Sequence, residues 1–370
     1  MLFTYFVYWG LIILSVITGL FVKHIANEKR KIIAYLLLFL VIGILLGGRY
    51  EVGSDWENYK GYYEAICNYG ISWNEIVTSR LEPLYLIINT ICASLKMSTS
   101  LFFMTIVLMM MFLILYSTDK DYKRFHYVLF FFFTTFLASA LNIQRQTLAA
   151  CFFFLSVKYI GKDVFKYIIC CCCAFFIHYS SVILFPFYFI GNKRLGVLEN
   201  RGIMIVAYIA SILFASFFGD YITSLLPMFI SNEKYLSNLE NLDINMEVST
   251  GLGIMANHLL NIIVIFFSVS MIRYYKCEWI RNIYRCFIVG VLFSNIFGIS
   301  MFLSRVPFAL CSLKVLLFAY LTYFLLHDSN RSGLYKVVVG IVFIFICISM
   351  SYFGIQHGDG GISPYTFRWI

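Results

Sequence analysis

Three arginines and a histidine stand where a long apolar chain has least reason to place them. Arg49 follows Gly47-Gly48 at the end of one apolar run. Arg145 sits in Asn142-Ile-Gln-Arg-Gln146 and Arg305 in Ser304-Arg-Val-Pro307, each between two such runs. His178 opens a polar break, His178-Tyr-Ser-Ser181, within another. Charge at membrane depth is costly and is usually paired or functional. A guanidinium carries a fixed fork of donors suited to phosphate oxygens, so a set of them suggests binding of a lipid-linked phosphate or diphosphate. The competing readings are snorkelling of each arginine to lipid headgroups and a hydrogen-bonded, purely structural histidine.

The most distinctive segment starts at the first of these arginines: Arg49-Tyr-Glu-Val-Gly-Ser-Asp55-Trp-Glu-Asn-Tyr59. Gly53 permits a tight turn. Asp55 is placed to accept a proton from a sugar hydroxyl or to pair with an arginine. Trp56, Tyr59, Tyr62 and Tyr63 offer rings for sugar stacking. An amphipathic helix at headgroup level with ordinary aromatic anchors would give the same pattern.

Other chemistry finds little support. There is no HExxH, Walker loop or useful GxGxxG, which argues against ATP-driven work within the chain. Of 11 cysteines, Cys170 to Cys173 are consecutive. On a helix they face different directions and cannot form one tetrahedral site, so no metal is expected. The remaining histidines flank or begin apolar runs or lie in the tail.

The elements that must hold these residues are membrane helices. The chain of 370 residues is 61% hydrophobic and only 13% charged, with a mean hydropathy of +0.84. Soluble domains carry about 25% charged residues. Continuous rather than alternating apolar runs exclude a barrel. Runs at 2–22, 32–48, 100–117, 127–141, 147–160, 165–190, 202–218, 256–272, 286–303, 306–326 and 337–353, with a short one at 83–97, predict an all-α polytopic transmembrane bundle of about 11–13 segments. Residues 1–370 read as one integral membrane domain, and 2–22 as a retained span rather than a cleaved signal.

Orientation follows the basic residues. If 83–97 dips and returns, and 165–190 goes out and back, then segments 23–31, 118–126, 158–166, 191–201, 273–285 and 327–336 share the cytoplasmic side. They hold 19 of the 28 lysines and arginines. The net charge of +9 then reflects topology, and no nucleic-acid partner is expected. Loops 49–82 and 219–255 fall outside, with short amphipathic helices expected at that face. Arg49, Arg145, Arg305 and His178 fall on the same side.

Four ordered segments resemble the EpsG branch of the Wzy-type polysaccharide polymerases: RYEVGSDWENY at 49–59, NIQRQTLAA at 142–150, FFIHYSSVILFP at 175–186 and SRVPF at 304–308. The closing PYTFRW at 364–369 also fits. The resemblance implies a multi-pass protein of the bacterial cytoplasmic membrane. It would polymerise oligosaccharide repeat units carried on undecaprenyl diphosphate for capsule, exopolysaccharide or O-antigen, without a cofactor. Arg49, Arg145 and Arg305 would then bind diphosphate, Asp55 and His178 would act as base or acceptor-orienting groups, and Trp56 and Tyr59 would contact sugar. A flippase and a chain-length regulator are the partners the resemblance implies, besides membrane lipids. Two rival readings are a flippase for lipid-linked sugars and a membrane O-acyltransferase. The first calls for charges through the middle of the spans, and Lys314 alone fits. The second calls for a cytoplasmic donor entry, whereas the polar residues gather at the other face.

Overall fold

Helices account for most of the described backbone. The computed structural model describes residues 1–70, 81–229, 251–298, 303–328 and 333–370. In chain order the helices are α1 (Leu2–Lys23), α2 (Glu28–Gly47), α3 (Trp56–Tyr69), α4 (Pro83–Ser94), α5 (Thr99–Ser117), α6 (Phe125–Thr135), α7 (Leu137–Asn142) and α8 (Gln144–Ser156). After them come α9 (Val164–Ile177), a 3-10 segment (Tyr179–Gly191), α10 (Arg201–Phe229), α11 (Leu252–Tyr275), α12 (Glu278–Phe297), α13 (Phe308–Ser312), α14 (Lys314–His327) and α15 (Gly333–His357). Among the described residues, eight helices are long and apolar enough to cross a membrane, α13 and α14 counting as one. Side-chain caps start several of them: Asn27 accepts from Lys29 N–H, Ser98 from Leu101 N–H and Asp163 from Lys166 N–H. Leu2, Phe6, Phe217 and Phe345 are between 66% and 87% exposed. Exposed apolar surface of that extent suits lipid rather than water.

The ends of the helices sort into two faces. On one, Lys158 donates to the Tyr116 carbonyl, Tyr320 to Asp121, and Arg285 to Glu199 and to the Ile190 carbonyl. Tyr35 and Tyr122 stack there, and Lys336 pairs with Asp328. With Arg124 over the Tyr275 ring and Tyr127 against His327, these contacts gather the described parts of the basic segments 118–126, 158–166, 191–201, 273–285 and 327–336 on one side, and Tyr35 brings the start of α2 to them.

The opposite face is organised by the last residues of the chain. Tyr50 N–H donates to the Thr366 carbonyl, Arg368 N–H to Gly48, and Gly53 N–H to Gly361 at 2.8 Å. Ser100 N–H reaches the Ile370 carbonyl, and Tyr365 N–H reaches Thr4. A strap of residues 359–370 therefore fastens the first long loop to the tops of α1, α2 and α5.

Two expected reversals have a direct geometric basis. Tyr63 donates to the Met97 carbonyl at 2.7 Å and Ser100 meets Ile370, so the end of 83–97 lies on the strap's face. Glu82, at its start, lies on that face too. Both ends of α4 therefore lie on one face, the arrangement expected of a segment that turns back. In the run 165–190, the Tyr167 hydroxyl donates to the Leu184 carbonyl at 2.6 Å, and the Tyr167 and Tyr188 rings lie 5.3 Å apart. Residues that far apart in sequence meet only if the chain folds back, and His178 marks the tip.

Boundaries differ where polar residues continue a helix. Helix α12 starts at Glu278, ahead of its apolar run, because Arg281 and Arg285 find Glu199 and need not leave the helix. Helix α10 runs to Phe229, past the expected start of the second loop at 219, and α11 begins at Leu252. The rest of that loop, and 71–80 of the first, lie outside the described residues.

Candidate functional site

Three segments far apart in sequence meet on the strap's face. Helices α7 and α8 form a tight reversal at Ile143, which lifts Arg145 to the first turn of α8. Helix α9 ends at His178, whose backbone is extended (φ −156°, ψ 115°). Glu82 precedes Pro83, the residue that starts α4; proline suits a first helical turn because its missing N–H has no partner there.

Glu82 joins the other two. One carboxylate oxygen accepts from Arg145 Nη1 at 2.6 Å, and the other lies 2.9 Å from His178 Nδ1. Glu82 is 5% exposed. Burial opposes its charge, but the hydrogen bond with His178 and the Arg145 charge outweigh it and hold the carboxyl below its usual range. An ionised carboxylate only accepts, so His178 donates from Nδ1, and in the neutral ring Nε2 then carries the lone pair. That is the arrangement of an oriented imidazole base.

The Arg145 guanidinium lies 5.9 Å from the Tyr59 ring and 5.8 Å from the Tyr85 ring. Burial raises the Tyr59 phenol, Arg145 pulls it down, and Asp55 adds to the rise. Asp55 itself is partly buried one position before α3, its N–H held by Asn142 Oδ1 at 3.1 Å. Gly53 makes that approach possible. It has φ +99°, and a Cβ there would lie 2.5 Å from the Leu141 carbonyl oxygen.

The remaining sequence candidates divide by burial. Arg49 is 1% exposed, and its donors go to the Leu46 carbonyl (2.8 Å), the Val52 carbonyl (3.3 Å) and Gln144 Oε1 (2.9 Å). Its guanidinium lies over Phe103. Trp56 is also 1% exposed, donates from Nε1 to the Arg49 carbonyl, and packs on Tyr50 and Phe103. Tyr59 is 4% exposed. Arg305 is exposed, and its carbonyl accepts from Gln146 Nε2 at 2.8 Å. Arg145, His178 and Tyr59 thus converge with Glu82, Asp55 stands beside them, Arg49 is enclosed one layer below, and Arg305 is tethered at the edge. Among the described residues no three His, Cys, Asp or Glu side chains gather in a way that could hold a metal ion.

Sequence reasoning missed Glu82 and the two glutamines. Glu82 looked like one loop carboxylate among several, and its only local signal is its place before Pro83. Gln144 and Gln146 flank Arg145 and were within view as part of its motif. Gln144 bridges Arg49 and the Tyr85 hydroxyl, and Gln146 holds the Arg305 turn.

Two expected results test this reading. Arg49→Ala strands two backbone carbonyls and Gln144, and should cost about 3 kcal/mol or more. Thermal unfolding in detergent should show a lower Tm, and Arg49→Lys should not restore it, because one ammonium cannot replace the fork. The second is a pH effect. The Glu82 carboxyl is depressed in the folded state, so its contribution is complete above the ordinary carboxylate pKa of about 4.3 and disappears as pH falls through the lower folded value. Acid unfolding of Glu82→Gln should lack that loss; an unchanged acid limb would contradict the bridge.

The model of the EpsG family matches residues 32–367. No curated protein and no solved structure matches the chain.

Proposed function

The chain belongs to the EpsG family, and from that premise we propose that it is a Wzy-type polysaccharide polymerase of the bacterial cytoplasmic membrane. The basic segments mark the cytoplasmic face by the positive-inside rule. The cluster around Glu82 then faces outside, where lipid-linked repeat units are presented.

In this reading a sugar hydroxyl of the acceptor attacks the anomeric carbon of a donor glycan on undecaprenyl diphosphate. His178 Nε2 takes the hydroxyl proton. The bond from the anomeric carbon to the diphosphate oxygen breaks, and its electron pair leaves with the diphosphate. Arg145, with Arg305 at the edge, stabilises that growing charge. Glu82 orients both His178 and Arg145. Asp55 orients the acceptor. Arg49 and Trp56 hold the loop from beneath, and Tyr62, 42% exposed on α3, offers a more open ring for sugar than Trp56 or Tyr59.

The observation that carries the proposal is the single carboxylate shared by an arginine and a histidine at the face opposite the basic loops. The test is reconstitution. Purified protein with its native undecaprenyl diphosphate-linked repeat unit should yield a ladder of longer glycans on a gel, with no nucleotide or acyl donor. No ladder from a verified substrate would overturn the polymerase; lipid scrambling in vesicles without a ladder would favour a flippase instead.

A further inference from the structure

Lys314 has no role in the site above, yet it occupies the most enclosed of the long apolar helices. The segment Phe308–His327 has 83% of its spanning window buried. The chain breaks between α13 and α14 at Leu313, and Lys314 opens α14. Among the described residues its ammonium has no carboxylate at ion-pair distance and no hydrogen bond. An unpaired charge in such a place calls for a ligand or a solvated pocket.

Lys314 lines a cavity of about 160 Å³ with Thr134, Thr135, Asn257, Ser351 and Asp359. The two threonine hydroxyls donate to the Phe130 and Phe131 carbonyls. Lys314, the Asn257 amide and the Ser351 hydroxyl therefore supply the cavity's free donors. Asn257, Met350, Gly354 and Asp359 are shared with a groove of about 880 Å³ between the start of α11 and the end of α15. The groove follows α15 from Phe345 to His357, roughly 18 Å at 1.5 Å per residue. Its walls are mainly apolar, and Leu252 (83%), Phe345 (66%) and Phe353 (54%) are exposed along it.

The order of these features matches one kind of molecule. The groove suits a chain of hydrocarbon. Lys314, about 1.7 helical turns past Phe308, suits an anion. Asp359 repels an anion and accepts hydroxyls, and it lies in the turn that Gly53 and Ser54 fasten through Gly361 and Gly360. That turn borders the loop carrying Asp55. Leu137 and Ala138, at the start of α7, line the cavity, and Arg145 follows the end of α7 in the chain.

We propose that the cavity and groove bind a second lipid-linked sugar, its phosphate on Lys314, its hydroxyls at Asp359 and Asn257 and its prenyl chain between α11 and α15. A reaction that joins two lipid-linked glycans needs two anionic head-group sites, and Lys314, lining a cavity with the start of α7, and Arg145, just past its end, supply them. Naming this occupant the acceptor rests on the polymerase reading; the binding does not.

Native mass spectrometry of the full chain in detergent tests it, with geranylgeranyl diphosphate, geranylgeraniol and inorganic pyrophosphate as probes. Wild type should bind two equivalents of the prenyl diphosphate. Lys314→Met should bind one, with the lost site weakened at least tenfold, while Lys314→Arg keeps both and Arg145→Ala loses the other. Removing an unpaired charge should leave the Tm of Lys314→Met equal to or above wild type, which separates lost binding from unfolding. Two equivalents on Lys314→Met would overturn the inference, as would equal binding of the alcohol. Full competition by inorganic pyrophosphate would overturn the lipid assignment in favour of a free-anion site. If wild type makes no glycan ladder but Lys314→Met loses a site, the polymerase reading fails and the lipid site stands. If wild type makes the ladder and Lys314→Met binds normally, only this inference fails.

Discussion

Glu82→Gln is expected to lower glycan polymerisation by about 10²–10⁴-fold, the usual range for removing general-base assistance, while the protein remains folded. The substitution keeps the size of the side chain and removes its charge. The two contacts, 2.6 Å from Arg145 and 2.9 Å from His178, explain why so much depends on it. A neutral amide can donate as well as accept, so it no longer fixes the proton on His178 Nδ1, and the lone pair on Nε2 is no longer guaranteed. Arg145 also loses the partner that aims it. Because Glu82 acts through other groups, the measurement should separate positioning from folding. Initial rates should fall mainly in kcat, with KM changed little, and the loss of Tm should correspond to about 1–3 kcal/mol. His178→Ala should reach a similar rate, and the double variant should be little worse than either single one, since the two residues work as a unit. A Glu82→Gln enzyme within a few-fold of wild type would remove the base from the mechanism.

Much of the scaffold was legible in the sequence because lipid leaves few choices. A chain this apolar must satisfy its backbone inside helices, and the basic clusters distinguish the two faces without any knowledge of packing. The dip at 83–97 was legible from its shortness, Pro83, Lys96 and the charge asymmetry, and the reversal in 165–190 from the polar break His178–Ser181; Tyr63 to Met97 and Tyr167 to Leu184 supply their geometry. The site was legible only in part. Arg145 and His178 are visible because charge and imidazole are rare in apolar runs. Glu82 lies in a polar loop where carboxylates are ordinary, and its partners are 63 and 96 residues away. Burial was invisible for a related reason. Arg49 and Arg305 look alike in sequence, both at the ends of apolar runs, but only Arg49 is covered, by the strap from the far end of the chain. Nothing in residues 49–59 alone announces that Thr366 and Phe367 will lie against them.

Arg145→Ala should lower polymerisation by about 10²–10³-fold, the scale of losing one preorganised group that stabilises developing charge. The guanidinium is held by Glu82 on one side and bordered by Tyr59 and Tyr85, so it is already aimed before substrate arrives. Groups fixed in this way act most strongly on charge that grows during the reaction, because no reorganisation is needed at that moment. The partition of the effect is therefore informative. If Arg145 stabilises the departing diphosphate, kcat and kcat/KM fall together; if it only anchors the substrate, KM rises and kcat is kept. Arg145→Lys should recover part of the rate, since it keeps the charge and loses the fork. A purely structural arginine would behave differently: its alanine variant would lose Tm, and activity would return at lower temperature. Full ladder synthesis by Arg145→Ala would exclude it from the diphosphate site and leave Arg305, tethered through Gln146, as the arginine to test in its place.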